Sequence, residues 1–288
     1  MIISASRRTD IPAFYSDWLF NRIKEGYALV KNPMNYSQIR KVEINPDAVD
    51  CMVFWSKNPA PMLGKLNLLK DYSYYFQFSL NLYENDIETM LPGRENLLDT
   101  FKKLSDYTGP RKVIWRYDPV LINDKYTVKY HTDNFSLIAG KIKNHTNKVT
   151  FSFIDLYKKI ERAAKENGMR ELTEEEKNVL AENFSLSARE NNLLIDTCTE
   201  NIDLAKYGIK NARCIDSELI SEISGKDLPY RKDKNQRLLC GCAASVDIGE
   251  YNTCLNNCLY CYANHSRSLV LEKAEKHNVL SPIITGNI

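Results

Sequence analysis

The 288-residue chain is 43% hydrophobic and 26% charged, and 39 Lys and Arg against 37 Asp and Glu leave a formal charge of +2. That balance excludes a strong overall field toward nucleic acid or anionic membrane. Its 17 Tyr, 10 Phe and 3 Trp, with few Gly and Pro, exclude a disordered or fibrous chain. No apolar run approaches the roughly 20 residues that a membrane helix needs. The start, Met1-Ile2-Ile3-Ser4-Ala5-Ser6-Arg7-Arg8, lacks a basic n-region and a long apolar stretch, so a cytoplasmic protein with no membrane partner is expected.

Taken in chain order, short β-branched and aromatic runs alternate with amphipathic stretches. Strands are predicted at Ile2–Ser6, Cys51–Trp55, Tyr75–Leu80, Lys112–Trp115, Val149–Ile154 and Leu193–Asp196. Helices are predicted near Tyr15–Glu25, Pro61–Leu69, Arg94–Tyr107, Asn134–Asn144 and Thr173–Asn192, the last opened by a capping box of Thr173 and Glu176. Tyr27–Val30 and Gln38–Ile44 suggest an extra hairpin. Near the end, Ala243–Ile248 reads as a strand, Gly249–Cys261 as a loop and Ala263–His277 as a helix. This alternation predicts an α/β fold with a parallel sheet. Polar residues gather at the strand ends, which favours a partial or complete (β/α) barrel of TIM type over an open doubly wound sheet. Residues 1–239 would form the barrel body, and 240–288 a β–loop–α segment completing the same domain.

Eight cysteines are many for a reducing compartment, and seven of them lie in the last third of the chain. Such clustering points to metal ligation. Cys254, Cys258 and Cys261 form C-x3-C-x2-C, so three thiolates on a tight loop can hold three irons of a 4Fe–4S cluster and leave the fourth open. A Cys3His zinc site with His265, in a zinc-stabilised non-catalytic binding protein, is the alternative.

The loop resembles the CxxxCxΦC motif of the radical SAM superfamily, with Tyr260 as the aromatic Φ. That resemblance implies that Cys254, Cys258 and Cys261 ligate a 4Fe–4S cluster. It also implies that S-adenosylmethionine (SAM) binds the open iron, with Tyr260 near the adenine, and that its cleavage yields a 5′-deoxyadenosyl radical. In most of that superfamily the loop follows the first barrel strand, whereas here it lies near the C-terminus. A circular permutation reconciles the two and makes Ile2–Ser6 the second strand. The chain also resembles an uncharacterised bacterial and archaeal family with this C-terminal motif, through Ser4–Asp10, Phe54–Pro59, Trp115–Pro119, Phe151–Asp155 and Asp247–Asn264. Ser56–Pro59 and Arg116–Pro119 are further similar to spore photoproduct lyase-like proteins.

Cys198, Cys214, Cys240 and Cys242 are the complement of an auxiliary 4Fe–4S cluster. A zinc site is one rival. Independent thiols are another, with Cys198 donating hydrogen to a product radical as in lyase-like chemistry. Cys51 reads as a small core residue.

Around the expected cavity, Arg7 and Arg8 are candidates for the SAM carboxylate or an anionic substrate, against a structural pairing with Asp10. Lys57, with Asn58, is expected to face the cavity as a catalytic candidate. Arg116, beside Asp118, is expected to contact SAM or a substrate anion. Ser152 is a weaker cofactor contact, Asp155 a capping residue, and Asp247 and Glu250 loop hydrogen-bonders. The expected partners are a small-molecule or peptide substrate and an electron donor such as flavodoxin or ferredoxin. The near-neutral charge argues against nucleic acid, and the lyase resemblance keeps DNA repair as the alternative.

Overall fold

The computed structural model describes residues 1–227 and 229–286. Of the expected body 1–239 and segment 240–288, Leu228, Asn287 and Ile288 lie outside the described residues.

The chain opens with β1 (Ile2–Ala5), a short α1 (Ile11–Phe14) and α2 (Ser16–Glu25). An antiparallel hairpin of β2 (Tyr27–Asn32) and β3 (Asn35–Glu43) follows, outside the main sheet. Then come β4 (Cys51–Ser56), α3 (Ala60–Leu63), β5 (Tyr74–Ser79), α4 (Arg94–Thr108) and β6 (Val113–Val120). Next are α5 (Val128–Ile142), β7 (Lys148–Phe153), α6 (Glu161–Glu166), α7 (Glu174–Glu190) and β8 (Leu194–Thr197). The last elements are β9 (Lys210–Asn211), α8 (Ser217–Ser224), β10 (Val246–Asp247) and α9 (Arg267–Glu275). The capping box is present, with Thr173 and Glu176 each bonding the other's backbone N–H.

Among the described residues the main sheet has eight strands in the order β10-β1-β4-β5-β6-β7-β8-β9, and every neighbouring pair is parallel. The C-terminal strand therefore lies beside the N-terminal one, with Ile3 opposite Val246 and Ser4 opposite Asp247. Strand pairing does not close this sheet into a barrel. β9 and β10, at its two edges, are two residues each, and chain segments 212–216 and 240–245 occupy the place where they would meet. A backbone hydrogen bond, Ala243 N–H to Ile215 carbonyl at 3.0 Å, bridges those segments. The strand expected over Ala243–Ile248 is thus cut to two residues, and the helix expected from Ala263 starts at Arg267, where Ser266 caps it.

The sheet has two unlike faces, as the period-2 alternation of each strand requires. Outward residues such as Phe54, Phe76, Trp115 and Phe151 pack against Phe101, Phe135 and Phe184 of the helices. Phe135 stacks on Phe184 at 4.2 Å between ring centroids and lies 4.7 Å from Trp115. Each such buried side chain contributes roughly 1.5–3 kcal/mol. Inward residues change character along the strands. Near the N-terminal ends, Ile2, Cys51, Tyr75 and Ile114 pack with Ile215 and Ile220. Toward the C-terminal ends the inward positions become Ser4, Gln77, Arg116, Thr150 and Asp196, all buried. The Tyr75 hydroxyl and Gln77 amide both donate to the Cys214 carbonyl, so segment 212–216 is pinned across the inner face.

The junction of β10 and β1 tolerates no added atom. A methyl group on Gly249 would lie 2.5 Å from Cβ of Ser6, and closer still to its hydroxyl. Gly249→Ala should therefore cost about 1–3 kcal/mol in urea unfolding. Ser6→Gly in the same chain should make the double change cost less than the sum of the singles. Strict additivity would show that the two residues do not meet as described.

Candidate functional site

The C-terminal ends of the strands open into a cavity of about 590 Å³, within the usual range for small-molecule sites. Arg7, Arg8, Lys57, Arg116, Ser152, Cys198, Cys214, Cys240, Cys242, Cys254, Cys258, Tyr260 and Cys261 all line it. Asn58 does not. Its side chain accepts from the Ala60 N–H at 3.4 Å, serving the turn into α3.

The cysteine loop is held from both ends. At its root the Asp247 carboxylate accepts from the Ser4 and Ser6 hydroxyls and from the backbone N–H groups of Arg7 and Gly249. Further along, buried Asp10 accepts from the Lys57 N–H at 2.8 Å, the Asn256 amide at 3.0 Å and the Ala13 N–H at 3.1 Å. One carboxylate thereby ties α1, the end of β4 and the loop together, a role the expected Arg–Asp rim pair does not include. Asn252 and Asn257 take left-handed backbone angles, φ 60° and 52°, which Asn tolerates better than most residues. Asn257 is secured by reciprocal bonds with Thr89 at 2.8 and 3.0 Å. Glu250 is engaged by Lys273 at 2.6 Å.

The three loop sulfurs share one electrostatic situation. Burial pushes the Cys254 thiol up to about 12, and neighbouring Cys261 adds to this, while backbone N–H groups of Asn256 and Asp10 pull it down. Burial raises Cys258 further, opposed by Lys57. Cys261 is raised by burial against backbone N–H groups of Ala263 and Asn264. A metal must displace these protons to bind. Among the described residues, no group of three or more His, Cys, Asp or Glu is arranged to hold a metal ion as it stands, so ligation requires the thiols to turn inward. His265, the fourth ligand of the zinc alternative, is exposed and does not line the cavity.

Glu88 is the residue that sequence reasoning missed. It is 1% exposed, accepts from Lys57 at 2.8 Å and from the Tyr260 hydroxyl, and its backbone bridges Cys258. Its only signal was a charge set among Ile87, Met90 and Leu91 in a loop. Burial works against the Lys57 charge, but Glu88 and then Cys258 hold the ammonium above its ordinary range. The same ammonium lies 5.2 Å over the Tyr260 ring.

Across the cavity, buried Arg116 forks onto Asp118 and donates to Cys214 Sγ at 3.1 Å and Gln77 at 3.4 Å. Ser152 donates to the other oxygen of Asp118. Burial alone would raise Asp118, but Arg116, Ser152 and Lys57 hold it below the usual carboxylate range. Asp155 pairs with Arg237 at 2.8 Å. Glu200 accepts from the Phe153 N–H and is pushed up to about 7, chiefly by burial. Arg8 lies over Tyr251, with Asp247 at 4.0 Å. Among the described residues Arg7 makes no ion pair; its guanidinium lies 5.6 Å over Trp55 and donates to Ser245 at 3.4 Å. No helix among the described residues is long and apolar enough to cross a membrane.

No curated protein and no solved structure matches the chain. One family matches residues 2–263, a span that runs from β1 through the cysteine loop, so the chain belongs to the family described as a domain of unknown function, DUF1848.

Proposed function

We propose that the protein is a radical SAM enzyme, with Cys254, Cys258 and Cys261 holding a 4Fe–4S cluster and SAM binding in the cavity beside it. When bound, the pair supplies reductive cleavage of SAM to a 5′-deoxyadenosyl radical, which takes hydrogen from a small-molecule or peptide substrate. The observation that carries this reading is that the three thiols of the C-x3-C-x2-C loop line the same cavity as the polar strand ends. The donor set fits the group: thiolates are its ligands, and one short loop brings all three to the wall of a single cavity.

The remaining roles belong to the chain's own side chains. Arg7, which makes no ion pair among the described residues, and Arg8 would bind a carboxylate, with the Trp55 and Tyr251 rings behind them. Glu88 and Lys57 orient Tyr260 at the loop, and Lys57 faces Cys258 with a fixed positive charge. Arg116 and Asp118, neutralising one another, present a rigid polar wall with Ser152. Flavodoxin or ferredoxin would supply electrons. The DNA-repair alternative has less support, because Lys57, Arg116 and Arg237 are each matched by a carboxylate.

Anaerobic reconstitution should load about four irons on this loop, absent from a Cys254→Ala/Cys258→Ala/Cys261→Ala variant. With reductant and SAM the protein should release 5′-deoxyadenosine and methionine. Zinc without iron, or no 5′-deoxyadenosine, would sink the reading. Arg7→Ala should weaken SAM binding about tenfold, measured by equilibrium dialysis, as loss of one charge-assisted contact predicts. Glu88→Gln leaves the part-buried Lys57 without its counter-ion and should cost about 1–3 kcal/mol in denaturant unfolding. Adding Lys57→Met should restore most of that loss.

A further inference from the structure

The two edges of the eight-stranded sheet face each other across a seam, and four cysteines stand along it. Cys198 directly follows β8 and Cys214 lies just past β9; Cys240 and Cys242 lead into β10 from the other side. The backbone bond from Ala243 to Ile215 crosses the seam immediately beside Cys242 and Cys214. The sulfurs of Cys198 and Cys214 are 3.8 Å apart, and the Ile215 N–H beside Cys214 donates to Cys242 Sγ. Three of the four residues are buried, yet all four reach the cavity wall.

We propose that these four thiolates hold a metal centre that staples the two edges of the sheet, at a site separate from the Cys254–Cys261 loop. Its failure and that of the radical reading are independent. Cysteines serving only as small core residues have no reason to converge from three chain segments on the place where strand pairing is missing. The surroundings suit anionic sulfur. Arg116, a permanently charged and buried guanidinium, donates to Cys214 Sγ at 3.1 Å, and the Ile215 N–H donates to Cys242 Sγ at 3.4 Å. Tyr75 and Gln77 fix the Cys214 backbone from the inner face. Arg116, whose charge is already paired with Asp118, gives the Cys214 sulfur a hydrogen-bond donor and not a free counter-charge. A tetrahedral zinc thiolate with Zn–S near 2.3 Å has sulfur–sulfur edges of about 3.8 Å, the spacing of Cys198 and Cys214. The sulfurs do not yet form a shell, so binding swings them about their Cα–Cβ bonds until they converge. Cys198, so engaged, is a ligand and not a hydrogen donor.

The test uses the full chain carrying Cys254→Ala/Cys258→Ala/Cys261→Ala, which has no competing loop site. Purified anaerobically, it should keep about one zinc per chain, or iron with equal sulfide if the centre is a cluster. Adding Cys214→Ser and Cys242→Ser should remove it. Cobalt(II) added to the chelator-treated triple variant should give intense thiolate-to-cobalt charge-transfer bands, and chelator should lower its melting temperature. A triple variant with native circular dichroism, no bound metal and no cobalt–thiolate band would overturn the proposal.

Discussion

The carboxylate of Asp247 is the interaction on which the site depends. Two residues of β10 pairing with β1 cannot by themselves fix a loop in space, because so short a ladder leaves most of its backbone groups to other partners. Asp247 supplies the remainder by collecting two hydroxyls and two backbone N–H groups around one part-buried side chain. Without it those donors would be left near the cavity floor with nothing to bond, at a cost of about 1–3 kcal/mol each. The cysteine loop begins seven residues later, so its register relative to the cavity is inherited from this contact.

A second carboxylate, Asp10, and a third, Glu88, repeat the same solution further out. Each is buried, and both join the loop to Lys57 at the end of β4, Asp10 through the Lys57 N–H and Asn256, Glu88 through the Lys57 ammonium and Tyr260. Charges of this kind add little net stability, since desolvation consumes most of the attraction. What they provide is a single allowed position for the loop: an apolar contact can slide, whereas a carboxylate held by two donors, as Glu88 is, or three, as Asp10 is, cannot. The cavity wall accordingly carries mostly paired charges, Lys57 with Glu88, Arg116 with Asp118 and Arg237 with Asp155.

Much of this was legible before the structure, for identifiable reasons. The β–α alternation follows from apolar runs such as Cys51–Ser56 and Tyr74–Ser79, whose β-branched and aromatic content suits strands buried on both faces. The capping box at Thr173 and the compact cysteine loop are local patterns, and local patterns survive folding. Arg116, Lys57 and Ser152 reach the cavity because each sits at the C-terminal end of a parallel strand. Illegible were features that exist only through long-range contact. Glu88 carries no local signature, and its partners Lys57 and Tyr260 are 31 and 172 residues away. The unclosed edge depends on segments 212–216 and 240–245 occupying the interior, and no periodicity reports that. Asn58, one residue past Lys57, lies beyond the end of β4, and its side chain is taken by the Ala60 N–H at the start of α3.

The adjacency of β10 and β1 also dictates when this protein can become complete. Ser4 and Asp247 are 243 residues apart, and a ribosome adding roughly 5–20 residues per second needs on the order of 12–50 s to span that interval. Until then the polar inner ends of β1 and β4 have no loop to seat, and the first half of the sheet waits with an open edge. The loop from Cys254 to Cys261 is therefore among the last segments to be made, and its anchor on β1 forms only when nearly the whole of the described sheet has been synthesised.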